Sequence, residues 1–75
     1  MTDGLTERLA GRVAAYRADR GLSQERLAEH AGLHRTYVGQ IERGTANASL
    51  AAVEKIAAAL EIDTDRLLCS GGLNG

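Results

Sequence analysis

Short runs of apolar residues at helical spacing divide this chain into segments, and three of these runs stop at a glycine. Glycine commonly ends helices because it adopts the left-handed backbone conformation without a steric penalty. Proline, the other residue that commonly interrupts helices, is missing from the sequence, so Gly21, Gly32 and Gly44 mark most of the predicted helix ends. The pattern predicts an all-α chain of five helices in which no strand is needed.

Serine residues and apolar stripes place the predicted helices along the chain. Ser23 and Ser49 stand where the second and fourth helices begin, and a serine hydroxyl there accepts a hydrogen bond from a free backbone N–H. The strongest stripe belongs to the fourth helix and consists of Leu50, Val53, Ile56, Ala57 and Leu60. A short fifth segment, capped by Thr64, is predicted over 62–69, before a loose tail at 70–75.

The length of 75 residues limits the chain to a single domain, 1–75, with a small core. Neither Phe nor Trp is present, so the core must be built from aliphatic side chains. Domains of this size often need a disulfide, a metal or self-association. Cys69 is the single cysteine, so an internal disulfide is impossible and a zinc site lacks its usual ligands. A homodimer is therefore the predicted supplement.

The charge balance gives little support to nucleic-acid binding. The formal net charge is -1, whereas a DNA-binding domain is usually basic. The distribution is uneven, since 1–49 holds seven arginines against six acidic residues while 50–75 is net acidic. No apolar run is long enough to span a membrane and the first residues do not form a signal sequence. We therefore expect a cytoplasmic protein with no membrane partner.

A longer motif runs from the second predicted helix to the end of the fourth. It reads Gln24-x-x-Leu27-Ala28-x-x-Ala31-Gly32-Leu33, then Tyr37-Val38-x-x-Ile41-Glu42-x-Gly44, then Ser49-Leu50-x-x-Val53-x-x-Ile56-Ala57-x-x-Leu60. This order closely resembles the phage-repressor and Cro-type helix-turn-helix family, and the resemblance covers 16–68. It implies a compact five-helix, lambda-repressor-like DNA-binding domain with its helix-turn-helix at helices two and three. Ala28 would let these helices approach closely, and Gly32 would form the turn.

One subset of residues is similar to the controller proteins of restriction–modification systems. These residues are His34-Arg35-Thr36-Tyr37, Ile41-Glu42-Arg43-Gly44 and Asn47. Such controllers are dimers that time endonuclease expression by binding paired, two-fold symmetric operators in double-stranded DNA, first activating and later repressing transcription. The resemblance implies that role here, with RNA polymerase as a further partner, and another kind of phage-type repressor is the alternative within the family. The chain departs from the family pattern at Thr45, Ala46 and Ala48, which weakens the expected anchoring to phosphate.

Arg35, Thr36 and Gln40 are the predicted base-reading residues of the third helix. Arg35 has the fork geometry for guanine, Thr36 can offer a methyl or hydroxyl group to a base edge, and Gln40 can read adenine. The alternative for each is a solvated residue of a polar surface. Gly39 lies among them, and an interior helix glycine costs about 1 kcal/mol relative to alanine. Either close approach to DNA or simple tolerance explains it.

The predicted phosphate contacts surround these base-reading residues. Gln24 matches the phosphate-contacting glutamine of the family at the start of the second helix, with structural capping as the alternative. Arg43 and Asn47 flank the end of the third helix and can reach phosphate. Tyr37 either presents its hydroxyl to the DNA backbone or packs internally, and His34 joins the DNA-binding set through its place in the motif.

Two further sets are expected to act within the protein rather than on DNA. Arg17 and Glu42 match a family pair that forms an internal ion bridge between the first helix and the motif. Ile62, Leu67 and Leu68 lie beyond the motif as surplus apolar residues, and we predict that they form the dimer interface. Both sets would hold recognition helices in place.

Two other classes of function compete with DNA recognition. A protein-interaction adaptor or antitoxin-like partner would use the same fold, and the near-neutral charge favours it. An enzyme is disfavoured because paired catalytic carboxylates, a phosphate-cradling glycine loop and a nucleophile–base set are not found. His30 and His34 are not expected to bind metal, because Gly32 ends the helix that would align them, and no cofactor is implied.

Overall fold

The computed structural model describes residues 4–68. Its helices are α1 (Gly4–Asp19), α2 (Gln24–Ala31), α3 (Arg35–Arg43), α4 (Leu50–Leu60) and α5 (Thr64–Leu68). The predicted all-α, five-helix architecture is confirmed, and no strand occurs within 4–68. Cys69 and the tail predicted at 70–75 lie outside the described residues.

A serine caps the start of both α2 and α4, as predicted. Ser23 Oγ accepts a hydrogen bond of 3.0 Å from the backbone N–H of Arg26, and Ser49 Oγ accepts one of 3.1 Å from that of Ala52. Each bond satisfies a backbone donor that the first helical turn leaves free. These local bonds fix where the two helices start.

Three helices end at the predicted glycines, whereas α4 does not. Gly21, Gly32 and Gly44 have φ of 69°, 69° and 73°, the left-handed conformation that closes α1, α2 and α3. Glu61 takes the same conformation after α4, with φ of 61°, and its backbone N–H bonds back to the last turn. A residue with a Cβ adopts this conformation at a steric cost, so the sequence carries no signal for this helix end.

The core is aliphatic and draws on every helix. Its largest fully buried side chains are Val13, Leu27, Val38, Ile41, Ile56, Leu60 and Leu67. α2 packs against α3 and α4, while α1 packs against α3, α4 and α5. Because one continuous core is shared by all five elements, the α2–α3 pair cannot move without disturbing α1 and α4.

The short helix α5 corrects two predictions. Asp63, rather than Thr64, precedes the helix, and the Asp63 carbonyl accepts from the N–H of Arg66 at 2.9 Å. Leu67, predicted to lie in a dimer interface, is fully buried in the core of its own chain, so it has no surface to offer a second copy. Leu68 is half-buried and keeps exposed surface.

Two kinds of site are not found among residues 4–68. None of the described helices is long and apolar enough to cross a membrane. Within the same residues, no group of three or more His, Cys, Asp or Glu side chains is placed to hold a metal ion. His30 lies in the last turn of α2 while His34 precedes α3, with the left-handed Gly32 between them.

Candidate nucleic-acid interface

One side of α3 points away from the core and brings the predicted base-reading residues together. Val38 and Ile41 are buried on the inner side of the helix. Residues spaced three or four apart share a side of a helix, so the opposite side forms a continuous strip. This strip, called the recognition face below, consists of Arg35, Thr36, Gly39, Gln40 and Arg43.

The α2–α3 turn supports the recognition face through close packing. Ala28 is buried at 3% exposure, and its small side chain lets the two helix axes approach. Gly32 adopts the left-handed conformation, which allows the Leu33 N–H to donate to the Ala28 carbonyl at 2.9 Å. The predicted tight, glycine-containing connection between the two helices is therefore present.

His34 starts α3 by capping it. Its Nδ1 accepts a hydrogen bond of 3.1 Å from the backbone N–H of Thr36. A neutral imidazole that accepts through Nδ1 carries its proton on Nε2, which is then free to donate to an acceptor such as phosphate oxygen. His34 is exposed, so the same side chain can stabilise the helix and contact DNA.

Arg35 lies at the exposed N-terminal end of the recognition face. Its Nη1 is 3.7 Å from Glu25 Oε2 on α2, and both side chains are about two-thirds exposed. A solvated pair of this kind contributes little to stability. The guanidinium therefore lies near the α2–α3 turn and can readily leave Glu25.

Arg17, Gln24 and Glu42 form one network beneath the recognition face. Arg17 Nε donates to Glu42 Oε2 at 2.6 Å and Arg17 Nη2 donates to Glu42 Oε1 at 3.0 Å, a bidentate arrangement. Gln24 Nε2 also donates to Glu42 Oε1, at 2.9 Å, while Arg17 Nη1 donates to the Leu22 carbonyl at 2.7 Å. The pairing that the family resemblance implies for Arg17 and Glu42 is thus the geometry seen here, and it ties α1 and α2 to α3.

The hydrogen bonds that Arg17 donates to the Glu42 carboxylate raise the pKa of Arg17 above its usual value. A group whose pKa is raised on folding contributes stability that is complete below its unfolded pKa and is lost as pH rises through its folded pKa. For a guanidinium, that loss lies at strongly alkaline pH. Arg17 therefore imposes no pH dependence on stability near neutrality.

Tyr37 faces the protein rather than the recognition face. It is half-buried against the core, and its hydroxyl oxygen accepts a hydrogen bond of 3.3 Å from the backbone N–H of Ser49. Since Ser49 caps α4, this contact joins α3 directly to the start of α4. Of the two interpretations left open, internal packing describes the position of the ring in the free protein.

Asn47 lies in the α3–α4 connection, on the side of α1. Its Oδ1 accepts a hydrogen bond of 3.4 Å from Thr6 Oγ1, and Asn47 itself is exposed. The structure therefore places Asn47 apart from the strip formed by the other predicted DNA contacts. Any phosphate that it binds must pass near the N-terminal part of α1.

Several structural contacts had no recognisable sequence signal. Arg20 Nε donates to the Leu60 carbonyl at 2.7 Å, and its guanidinium lies 5.3 Å from the centre of the Tyr16 ring. Arg12 Nη1 donates to the Arg66 carbonyl at 3.0 Å. These bonds join α1 and the residue that follows it to the ends of α4 and α5 across 40 and 54 residues, separations at which no local pattern carries information.

Comparison with known proteins agrees with this geometry. The sequence model described as helix-turn-helix matches residues 13–67. The chain belongs to the helix-turn-helix family. Regulators of this helix-turn-helix family bind DNA. The matched residues include α2, α3 and α4 in full, so the recognition face lies within the family's defining segment.

Individual relatives show which helix-turn-helix proteins are similar. Control protein C.SmaI of Serratia marcescens is 45% identical over 69 residues, which are 92% of this chain and 82% of that protein. The restriction-modification controller protein C.AhdI from Aeromonas hydrophila has a crystal structure with a TM-score of 0.81 at 44% identity, covering 83% of this chain and 94% of that one. SinR, a master regulator for biofilm formation crystallised in complex with DNA, has a TM-score of 0.77 at 36% identity, covering 80% of this chain and 97% of that one.

Proposed function

We propose that this helix-turn-helix chain is a transcriptional regulator that binds two-fold symmetric duplex DNA as a homodimer and controls a restriction–modification system. The observation that carries the proposal is the recognition face: a strip of polar side chains, held outward by the buried inner side of α3 and by the Arg17–Glu42–Gln24 network. The similarity to control and controller proteins over most of both chains supports the finer role.

The roles proposed for individual residues follow from their positions. Arg35, Thr36 and Gln40 read base edges in the major groove, where the N-terminal part of a recognition helix lies. His34 and the outer edge of α2 contact the phosphate backbone. Gln24 donates one of its two amide N–H groups to Glu42, which leaves the other to donate to a phosphate oxygen, directly or through water.

Dimerisation is proposed because two half-sites one helical turn apart need two recognition helices about 34 Å apart. Leu50 is a large apolar side chain that is 61% exposed. It lines an apolar groove with the half-buried Leu68. Ile62 lies in a separate, more polar cleft beside Tyr16, so we propose that Leu50 and Leu68 form the centre of the interface with Ile62 outside it.

Within the cell, the proposed dimer regulates transcription by occupying operator DNA. The dimer acts in the cytoplasm on paired operators, activating transcription with RNA polymerase at low occupancy and repressing it at high occupancy. It does so without catalysis or a cofactor. The net charge of -1 limits sequence-independent attraction to DNA, so much of the affinity must come from the recognition face.

The test is enrichment of duplex DNA from a randomised pool by the protein, followed by affinity measurements on the enriched duplex and on a scrambled duplex. Arg35→Ala is expected to reduce the ratio of the two affinities by about 5- to 150-fold, the range for a bidentate guanine contact. Arg66→Ala removes the same charge from α5, which packs against α1 and α4, and serves as the matched control. Failure to enrich any sequence, or equal losses in both variants, would overturn the proposal.

A further inference from the structure

Gly39 occupies the centre of the recognition face, yet it is buried. A Cβ at this position would lie 3.2 Å from Arg43 Nη1 and 3.4 Å from Gln24 Oε1. Both neighbours are the ends of long side chains that reach residue 39 from different helices. The missing side chain therefore leaves a notch in α3, and the Arg43 guanidinium and the Gln24 carboxamide fill it.

The position of the Arg43 guanidinium differs from the one expected from sequence. Arg43 is the last residue of α3, where an extended side chain would reach phosphate beyond the helix end. Long helical side chains lean toward the helix N-terminus, and here the guanidinium lies one turn back, over residue 39. That direction leads toward the end of α3 that enters the major groove in helix-turn-helix complexes.

We infer that Gly39 is a positioning residue that turns Arg43 from a phosphate contact into a base-reading contact beside Gln40. This inference rests on the proposed function. A guanidinium laid along the recognition face presents its N–H groups as a planar fork, which matches the O6 and N7 acceptors of guanine. Any side chain at 39 pushes the fork away from the helix surface and toward the flanking phosphates.

The experiment uses the enriched and scrambled duplexes with five variants of the full chain. Arg43→Ala and Arg43→Lys are both expected to lose about 5- to 150-fold in affinity for the enriched duplex, because lysine keeps the charge but lacks the fork. On the scrambled duplex, Arg43→Lys is expected to bind like the parent protein. Gly39→Ala is expected to lose part of the same affinity, and Gly39→Ala combined with Arg43→Ala is expected to bind no worse than Arg43→Ala alone.

Gly11→Ala is the matched control, because Gly11 is an exposed glycine inside α1 at which an added Cβ would meet only open space. Both glycine replacements favour the helix, so neither is expected to lower the melting temperature, and Gly11→Ala should leave both DNA affinities unchanged.

Several results would overturn the inference. Equal affinity losses for Gly39→Ala in the presence and absence of Arg43 would mean that DNA itself approaches Gly39 closely. If Arg43→Lys keeps the parent affinity for the enriched duplex, Arg43 contacts phosphate rather than a base. In both cases the proposed DNA binding would stand and only the roles inferred for Gly39 and Arg43 would be wrong. If the parent protein enriches no sequence, both the proposed function and this inference are wrong.

Discussion

At the scale of single residues, the position of the recognition face depends on Glu42. Its side chain is 5% exposed and accepts hydrogen bonds from Arg17 on α1 and Gln24 on α2. A carboxylate that is almost buried is tolerated because these donors replace the water it has lost. The network therefore sets how α1 and α2 are placed against α3.

Glu42→Ala is expected to destabilise the protein by about 3 kcal/mol, because Arg17 would remain largely buried without its counter-charge. Arg17 keeps 20% of its side-chain exposure, which places the effect toward the low end for broken buried pairs. In a domain of this size, thermal unfolding should shift down by more than about 10 °C.

Glu29→Ala provides the control, since it removes a carboxylate from an exposed pair with Arg26 whose side chains are 62% and 64% exposed. That change should cost less than about 1 kcal/mol. Similar melting temperatures for the two variants would show that the buried network does not hold the helices together.

At the scale of helices, the boundaries follow from residues within one turn of each end. Ser23 and Ser49 could be predicted as caps because a capping bond depends only on the next three residues. The sequence does not indicate that His34 is a cap, because histidine is an uncommon capping residue and its role depends on which ring nitrogen faces the helix. The sequence does not indicate the end of α4 either, because Glu61 adopts the left-handed conformation that usually requires glycine.

Glu61→Gly is expected to stabilise the protein by about 0.5–1 kcal/mol. Glycine removes the steric cost of the left-handed conformation, and this gain exceeds the added entropy of the unfolded chain. Glu61 is exposed and closes α4 without a side-chain role in the core. The change is measured by denaturant unfolding.

Glu54→Gly is the companion variant, because Glu54 is exposed in the interior of the same helix. There the same replacement should cost about 1 kcal/mol. Loss of stability in both variants would indicate that the Glu61 side chain contributes something that its backbone conformation does not reveal.

At the scale of the whole molecule, prediction from sequence was weakest where distant segments meet. The motif predicted Val38 and Ile41 on the buried side of α3, because the spacing of apolar residues encodes that side. The same reasoning put Leu67 on the surface, since nothing near α5 indicates that it folds back onto α1 and α4. The position of Arg43 over Gly39 was also hidden, because it arises from the combined shapes of α2 and α3.

Leu50→Glu is expected to weaken self-association at least tenfold, because a charge would be placed in the apolar groove shared with Leu68. Ala51→Glu is the matched control: the neighbouring residue is also exposed in the first turn of α4, where a carboxylate interacts favourably with the helix dipole. Sedimentation equilibrium measures both association constants. If the two variants associate equally, the dimer uses another surface.

In the proposed dimer, the hydrogen bond between the Tyr37 hydroxyl and the Ser49 N–H connects the recognition helix to the subunit interface. It fastens α3 to the residue immediately before Leu50, which restrains movement of α3 relative to the proposed dimer interface. The proposed dimer then holds its two recognition helices at a nearly fixed separation. An operator whose half-sites have a different spacing must bend or twist to fit this separation. The stiffness of the base steps between the half-sites then contributes to recognition.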